Sequence, residues 1–149
     1  MIRTRPKSAL ILLVEDDPDD QELTRRALRG SKLRNELRVV EDGEQALDYL
    51  YRRGEFADPK SAPRPDLILL DLNLPKIDGR AVLETIKHER HLRRIPVVIL
   101  TTSSQEEDIL RTYDLGVNSY ITKPLHMRGF VKVIRDLERY WFELVVLPE

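Results

Sequence analysis

Short apolar runs, each ending at a polar residue, constrain the fold of this chain more than any other feature. The runs occupy residues 10–14, 67–70, 97–100 and 120–121, and amphipathic segments separate them. Runs of this length between helical patterns are typical of buried parallel strands joined by crossover helices. The sequence therefore predicts a doubly wound α/β domain, in which functional groups gather at the carboxyl ends of the strands.

The remaining elements complete a pattern of five strands and five helices. A charge-containing strand at residues 37–40 suits the edge of the sheet better than its centre. Asp17 is predicted to cap the first helix, because Pro18 fits the first helical position. The last helix is expected over about residues 126–142, since apolar residues recur there at steps of three and four.

Composition excludes several kinds of site. The chain has 149 residues, which fits one domain, and its 25 Lys and Arg nearly balance 26 Asp and Glu. No overall field therefore favours direct binding of nucleic acid or of a membrane. The absence of cysteine excludes disulfides, zinc-thiolate sites and thiol catalysis. No apolar stretch approaches the ~20 residues that span a bilayer, so a cytoplasmic protein is expected.

A polar connection at residues 54–65 interrupts the alternation of strands and helices. It contains Pro59, Pro63 and Pro65, and it is longer than most loops between such elements. It is expected to be either a surface elaboration or a contact site.

Glu15, Asp16 and Asp71 are predicted to meet at the carboxyl edge, beside Thr101 and Lys123. Carboxylates brought together repel one another unless a cation joins them, and Mg²⁺ prefers such oxygen ligands. A metal beside an ammonium group neutralises a phosphoryl group in transfer, and a carboxylate can then act as the nucleophile. These residue types thus suit the acceptance of phosphate on an aspartate.

Each of these residues also has a simpler interpretation. The turn at residues 15–17 fits a solvated helix start, and Asp71 fits a loop-capping carboxylate. Thr101 and Lys123 are ordinary structural and surface residues when taken alone. The simpler interpretations weaken in combination, because all four positions would have to fall at strand ends by accident.

The motifs at these strand ends resemble the receiver domains of bacterial two-component response regulators. The resemblance covers roughly residues 9–142 and rests on four segments, with intervals of 30 residues from Asp71 to Thr101 and 22 from Thr101 to Lys123. The segments are Leu-Val-Glu-Asp-Asp at 13–17, Leu-Leu-Asp-Leu-Asn-Leu-Pro at 69–75 with Asp78-Gly79, Pro-Val-Val-Ile-Leu-Thr at 96–101, and Tyr-Ile-Thr-Lys-Pro at 120–124.

The resemblance implies a role for each residue and a sheet order of 2-1-3-4-5. Asp71 would accept phosphate from a sensor histidine kinase, with only weak self-catalysed phosphorylation and dephosphorylation, so the protein would not be an enzyme. Mg²⁺ would be bound by Asp16, Asp71 and the backbone carbonyl of Asn73, with Glu15 acting through water. Lys123 would pair with the phosphoryl group. Thr101 and Tyr120 would form the switch pair that changes the surface on phosphorylation.

A narrower resemblance is to the stand-alone regulators that pair with bacterial and cyanobacterial phytochrome kinases. It rests on the connection at 54–65 and on the apolar end of the chain, through which members of that group dimerise. Residues 1–8 are expected to be a tail and 143–149 an extension. The expected dimer interface is Trp141, Phe142, Leu144, Val145, Val146 and Leu147, because one helix face cannot bury so many apolar side chains. The alternative is that this end folds back on its own sheet.

Other functions remain open at this point. A single-domain regulator acts on a downstream protein target, or it passes phosphate to a phosphotransfer protein as a relay intermediate. A pseudo-receiver would act by protein contact alone. A phosphatase of the haloacid dehalogenase type normally has a second Asp where this chain has Asn73. A flavin-binding module is disfavoured, because the loop after the first strand is acidic.

Overall fold

A computed structural model describes residues 8–30, 34–102 and 119–123, together with Lys132 and Arg135. At residues 101–102 and 119–123 the description concerns the backbone. Within these residues, no helix is long and apolar enough to span a membrane.

Five parallel strands form one sheet in the order β2-β1-β3-β4-β5, which confirms the predicted order. The strands are β1 (Ala9–Val14), β2 (Asn35–Val40), β3 (Leu67–Asp71), β4 (Val97–Thr102) and β5 (Ser119–Lys123). The second strand begins two residues earlier than its apolar pattern indicates. Lys123 is the last residue of β5 rather than the residue that follows it.

Three helices connect the described strands, and an aspartate caps each one. They are α1 (Pro18–Arg29), α2 (Gly43–Tyr51) and α3 (Gly79–His88). The side chains of Asp17, Asp42 and Asp78 accept hydrogen bonds from the first-turn backbone N–H groups at 2.9, 2.8 and 3.3 Å. The predicted cap at Asp17 is confirmed. The predicted fourth helix lies outside the described residues. Of the last helix, only Lys132 and Arg135 are described, as helical and exposed.

Two apolar cores lie on opposite faces of the sheet, because successive side chains of a strand alternate between its faces. On one face, Leu12, Ile68 and Ile99 pack with α2 and α3. On the other, Ile11, Leu69 and Val98 pack with Ala27 and Leu28 of α1. The central strands are therefore buried on both sides, which explains why their sequences are continuously apolar.

The outer strand β2 differs from the central strands in carrying charge. Glu36 is exposed, and its carboxylate forms an ion pair with Arg38 at 2.7 Å. Arg38 also donates to the carbonyl of Ser61 at 3.4 Å. This placement confirms the prediction that residues 37–40 lie at a sheet edge.

The connection at residues 54–65 contains two 3₁₀ turns, Gly54–Phe56 and Pro59–Ser61. It is held against α2, because the Tyr49 hydroxyl donates to the carbonyl of Pro63 at 2.7 Å. Phe56 packs edge-on against the ring of Tyr49, with centroids 5.2 Å apart. The connection is thus a packed part of the domain.

Candidate functional site

Glu15, Asp16 and Asp71 meet at the carboxyl edge of the sheet, as predicted. One carboxylate oxygen of each lies within 4.8 Å of the others. Glu15 and Asp71 are buried, whereas Asp16 is exposed. The cluster therefore has two fixed members and one member that is open to solvent.

Three hydrogen bonds fix the acidic turn after β1. The N–H of Glu15 donates to the carbonyl of Val40 at 3.0 Å, which extends the pairing of β1 with β2 by one residue. The Gln21 side chain in α1 donates to the carbonyl of Glu15 at 2.7 Å. The Glu15 carboxylate also accepts from the N–H of Asp17 at 3.1 Å. Asp16 lies between these fixed points.

Asp71 is the last residue of β3, and the loop that follows helps to position it. Its carboxylate accepts from the N–H of Asn73 at 3.0 Å, and the N–H of Leu72 donates to Leu100 in β4 at 3.1 Å. Gly79 packs directly against this segment. A Cβ at Gly79 would lie 2.2 Å from the carbonyl oxygen of Asp71 and 2.6 Å from the Cα of Leu72. Only glycine allows this approach of α3 to β3.

A second contact holds the same loop from the side of α2. Lys76 has a φ of 64°, which is unusual for a lysine, and its ammonium lies 3.7 Å from Asp42 and 3.3 Å from Glu44. The hydrogen bond with Glu44 and the charge of Asp42 raise the pKa of Lys76. A Cβ at Gly43 would lie 2.0 Å from the carbonyl oxygen of Ile77. The β3–α3 loop is therefore confined by two helix starts.

The backbone register places the other predicted site residues near this edge. Asp71 pairs with Leu100, so Thr101 lies one residue beyond the partner of Asp71. Thr101 pairs with Thr122, and Lys123 pairs with Thr102. Tyr120 pairs with Ile99, two residues before Thr101. The predicted interface residues Trp141, Phe142, Leu144, Val145, Val146 and Leu147 lie outside the described residues.

The donor set fits a hard divalent cation. Carboxylates are the oxygen ligands such ions prefer, and the exposed Asp16 leaves one side of the cluster open for water. A divalent charge would also offset the mutual repulsion of three close carboxylates. The type and the arrangement of these oxygen donors thus support the expected metal site.

The sequence indicated no positioning role for the residues that hold the cluster in place, although Gly79 belongs to one of the motif segments. Gln21, Lys76 and Gly79 do not belong to the acidic group, and their contacts appear only once the loops are folded. For Gly79, the adjacent helix-capping Asp78 was a usable signal, because an Asp-Gly pair marks a tight turn. The contact of Gln21 with Glu15 has no comparable signal in the sequence.

Comparison with known proteins identifies the family of this chain. Residues 11–135 match the response regulator receiver domain family. Response regulator Rcp1 of Synechocystis sp. strain PCC 6803 is 46% identical over 139 residues, which are 93% of this chain and 92% of Rcp1.

Two solved structures of relatives align with this chain. The phosphorylated cyanobacterial phytochrome response regulator RcpA has a TM-score of 0.80 at 46% identity, with 96% of this chain and 100% of that chain covered. The Mn²⁺-bound form of Rcp1 has a TM-score of 0.79 at 45% identity, with 95% and 99% covered. A divalent metal is thus found in one relative, and phosphorylation in another. On the combined evidence of fold, acidic cluster and sequence match, this chain belongs to the response regulator receiver domain family.

Proposed function

We propose that this protein is a phosphorylation-dependent signalling regulator and that Asp71 accepts the phosphoryl group. The observation that carries the proposal is the buried carboxylate of Asp71, held within 4.8 Å of Glu15 and Asp16 at the end of a central strand. An oxygen of this carboxylate would attack the phosphorus of a phosphohistidine. The P–N bond would break, the imidazole would leave with the electron pair, and an acyl phosphate would remain on Asp71.

The proposed metal is Mg²⁺, held by Asp16, Asp71 and the backbone carbonyl of Asn73, with Glu15 acting through water. When bound, it would supply positive charge to the oxygens of the transferring phosphoryl group. Lys123 is proposed to pair with those oxygens, and Thr101 and Tyr120 to form the switch pair. The register supports this set, because Thr101 lies near the end of β4, which pairs with β3, and Lys123 ends β5, which pairs with β4.

The proposed phosphoryl donor is a sensor histidine kinase, and a phytochrome kinase is the candidate that the relatives favour. RcpA is a phytochrome response regulator, and it aligns with 96% of this chain. Such a pairing would place the protein in the cytoplasm. We further propose that residues 9–142 form the receiver, that 143–149 form an extension, and that the proposed output is a change of surface or dimer state.

Intact mass after incubation with acetyl phosphate and Mg²⁺ tests the phosphoacceptor. We expect one phosphoryl adduct on the natural protein and none on Asp71→Asn, because an amide is a far weaker nucleophile than a carboxylate. Asp78→Asn serves as the control, since Asn also caps a helix and should leave uptake intact. An adduct that persists on Asp71→Asn would disprove the assignment. Loss of uptake in Asp78→Asn as well would point to damaged folding.

Removal of residues 143–149 tests the proposed dimer. The apolar side chains of this segment are expected to be buried between two copies, so the truncated chain should elute as a monomer. Sedimentation velocity of both forms would measure the change. An unchanged sedimentation coefficient would contradict the interface.

A further inference from the structure

A cavity of about 290 Å³ lies at the end of the sheet opposite the carboxylate cluster. Its walls come from the last turn of α2, from the residues just before β3 and from the residues just before β4. Because the strands are parallel, the starts of β3 and β4 lie at the edge opposite their carboxyl ends. We refer to this space as the amino-edge cavity. Nothing in the phosphoacceptor chemistry uses it.

The amino-edge cavity has an apolar interior and a basic rim. Leu50, Ala62, Pro65 and Leu92 line it, and the last three are buried. The rings of two tyrosines add further apolar surface to the walls. A ligand that enters must therefore offer an apolar group to the interior.

Two arginines form the basic part of the rim. The Arg52 side chain donates to the carbonyl of Ala62 at 3.0 Å, and Arg64 donates to the carbonyl of His91. These bonds orient both guanidinium groups beside the cavity. A guanidinium carries five N–H donors, so each arginine can keep its backbone partner and still bind an anion.

The charge around the cavity is also positive. Glu89 is the acidic residue among those that line it, and its carboxylate accepts from the hydroxyl of Tyr51 at 3.2 Å. Residues 87–94 contain four Lys and Arg residues against this one acid. The chain as a whole has a formal net charge of −1, so the basic character is local to this end. Such a local field favours an acidic ligand.

The volume narrows the choice of ligand. Pockets for small molecules typically measure about 300–1,000 Å³, and this cavity lies at the lower limit. It suits one or two side chains of a peptide better than a whole cofactor. Apolar walls beside two arginines match a peptide segment in which an apolar residue is flanked by carboxylates.

We propose that the amino-edge cavity is a docking site for an acidic segment of a partner protein. One apolar side chain of that segment enters the cavity, and its flanking carboxylates bind Arg52 and Arg64. This proposal goes beyond the phosphoacceptor function and does not depend on it. Because the two sites lie at opposite ends of the sheet, a partner docked here leaves Asp71 accessible.

Titration followed by two-dimensional amide NMR spectra of the unphosphorylated full chain tests the proposal. The probe is a peptide of about ten residues, all Asp and Glu except for one central phenylalanine. We expect the shifts to concentrate at residues 49–52, 62, 64 and 89–92, since Pro63 and Pro65 have no amide N–H. Replacing the phenylalanine by alanine should weaken binding by about tenfold, because the apolar anchor is lost.

A matched pair of variants distinguishes binding by the arginines of the rim from a general effect of positive charge on binding. Arg52→Asn removes the guanidinium at a position with a φ of 54°, a conformation that Asn tolerates well. We expect about tenfold weaker binding. Lys60→Asn removes the same charge from an exposed position in the connection that does not line the cavity, and it should change binding less than about twofold.

Four results would overturn the proposal. The first is the absence of shifts at millimolar peptide, and the second is equal binding of a lysine-rich peptide with the same phenylalanine. The third is an identical set of shifts with inorganic phosphate alone, which would indicate a simple anion site. The fourth is tighter binding of a short RNA at the same residues. Failure of Asp71 to accept phosphate would leave each of these readings unchanged.

Discussion

The two ends of the sheet are built on opposite principles. At the carboxyl end, three carboxylates are crowded together, and the neighbouring backbone is packed so closely that Gly79 has no room for a side chain. At the amino end, the connection at 54–65 leaves an open cavity with arginines around it. The phosphoacceptor chemistry requires fixed atoms at one end, whereas the other end has space that a partner can fill.

Adding one methyl group at each end should give the largest difference. Gly79→Ala forces a Cβ to within 2.2 Å of backbone, so α3 or the β3–α3 loop must move. We expect the free energy of unfolding to fall by about 3 kcal/mol. Gly54→Ala meets only the end of the Asp48 side chain at 3.2 Å, and it costs about 1 kcal/mol for its φ of 60°.

Urea denaturation of both variants would measure this difference. Equal losses would mean that the carboxyl end is no more tightly packed than the amino end. Metal binding by folded Gly79→Ala should also weaken, because the segment that carries Asp71 is displaced.

Removing one charge from the acidic turn should have the next largest effect. Asp16→Asn takes away the exposed carboxylate of the cluster, and we expect Mg²⁺ affinity to fall by at least about tenfold, or 1.4 kcal/mol. Asp17→Asn is the control, because it removes one negative charge from the adjacent position, while Asn at this position still caps α1. Calorimetric titration with Mg²⁺ would compare them. Equal losses in both would mean that the general acidity of the turn, not ligation, binds the metal.

The smallest expected effect lies at the amino end. Tyr49→Phe removes the hydrogen bond to the carbonyl of Pro63 and should lower the free energy of unfolding by about 1 kcal/mol. Tyr51→Phe, at a 39% exposed position, should change it by less than about 0.5 kcal/mol. Urea denaturation would distinguish the two. A larger loss for Tyr51→Phe would show that the exposed hydroxyl, rather than the buried one, contributes more to stability.

The Tyr49→Phe variant should also change how stability depends on pH in the alkaline range. Burial raises the pKa of the Tyr49 hydroxyl above its ordinary value of 10.0, so the folded state retains this proton longer than the unfolded state. Its contribution to stability is therefore present below pH 10 and is lost as the pH rises through the folded pKa. Between pH 9 and 11, the thermal unfolding temperature should fall less steeply with pH in Tyr49→Phe than in the natural protein. An unchanged slope would contradict this assignment.

Local chemistry explains how much of the fold could be predicted from the sequence. Both β1 and β3 are apolar on two faces, and Asp17 and Pro18 carry their capping preference wherever they occur. The gathering of Glu15, Asp16 and Asp71 followed from strand direction together with the sheet order that the resemblance implied. The confinement of the β3–α3 loop did not, since Gly43 meets Ile77, 34 residues away, only after packing. The amino-edge cavity could not be predicted from the sequence either, because the proline content of residues 54–65 indicates a connection but not the space beneath it.

The charges on β2 also bear on how this protein behaves at high concentration. A sheet edge with free hydrogen-bonding groups can recruit a strand from another molecule and start aggregation. Adding a strand beside β2 would bring that neighbour against Glu36 and Arg38, whose ion pair would lose its water. We therefore expect this edge to resist fibril-like growth, so that an association of copies on the β2 side of the domain has to use side-chain surfaces.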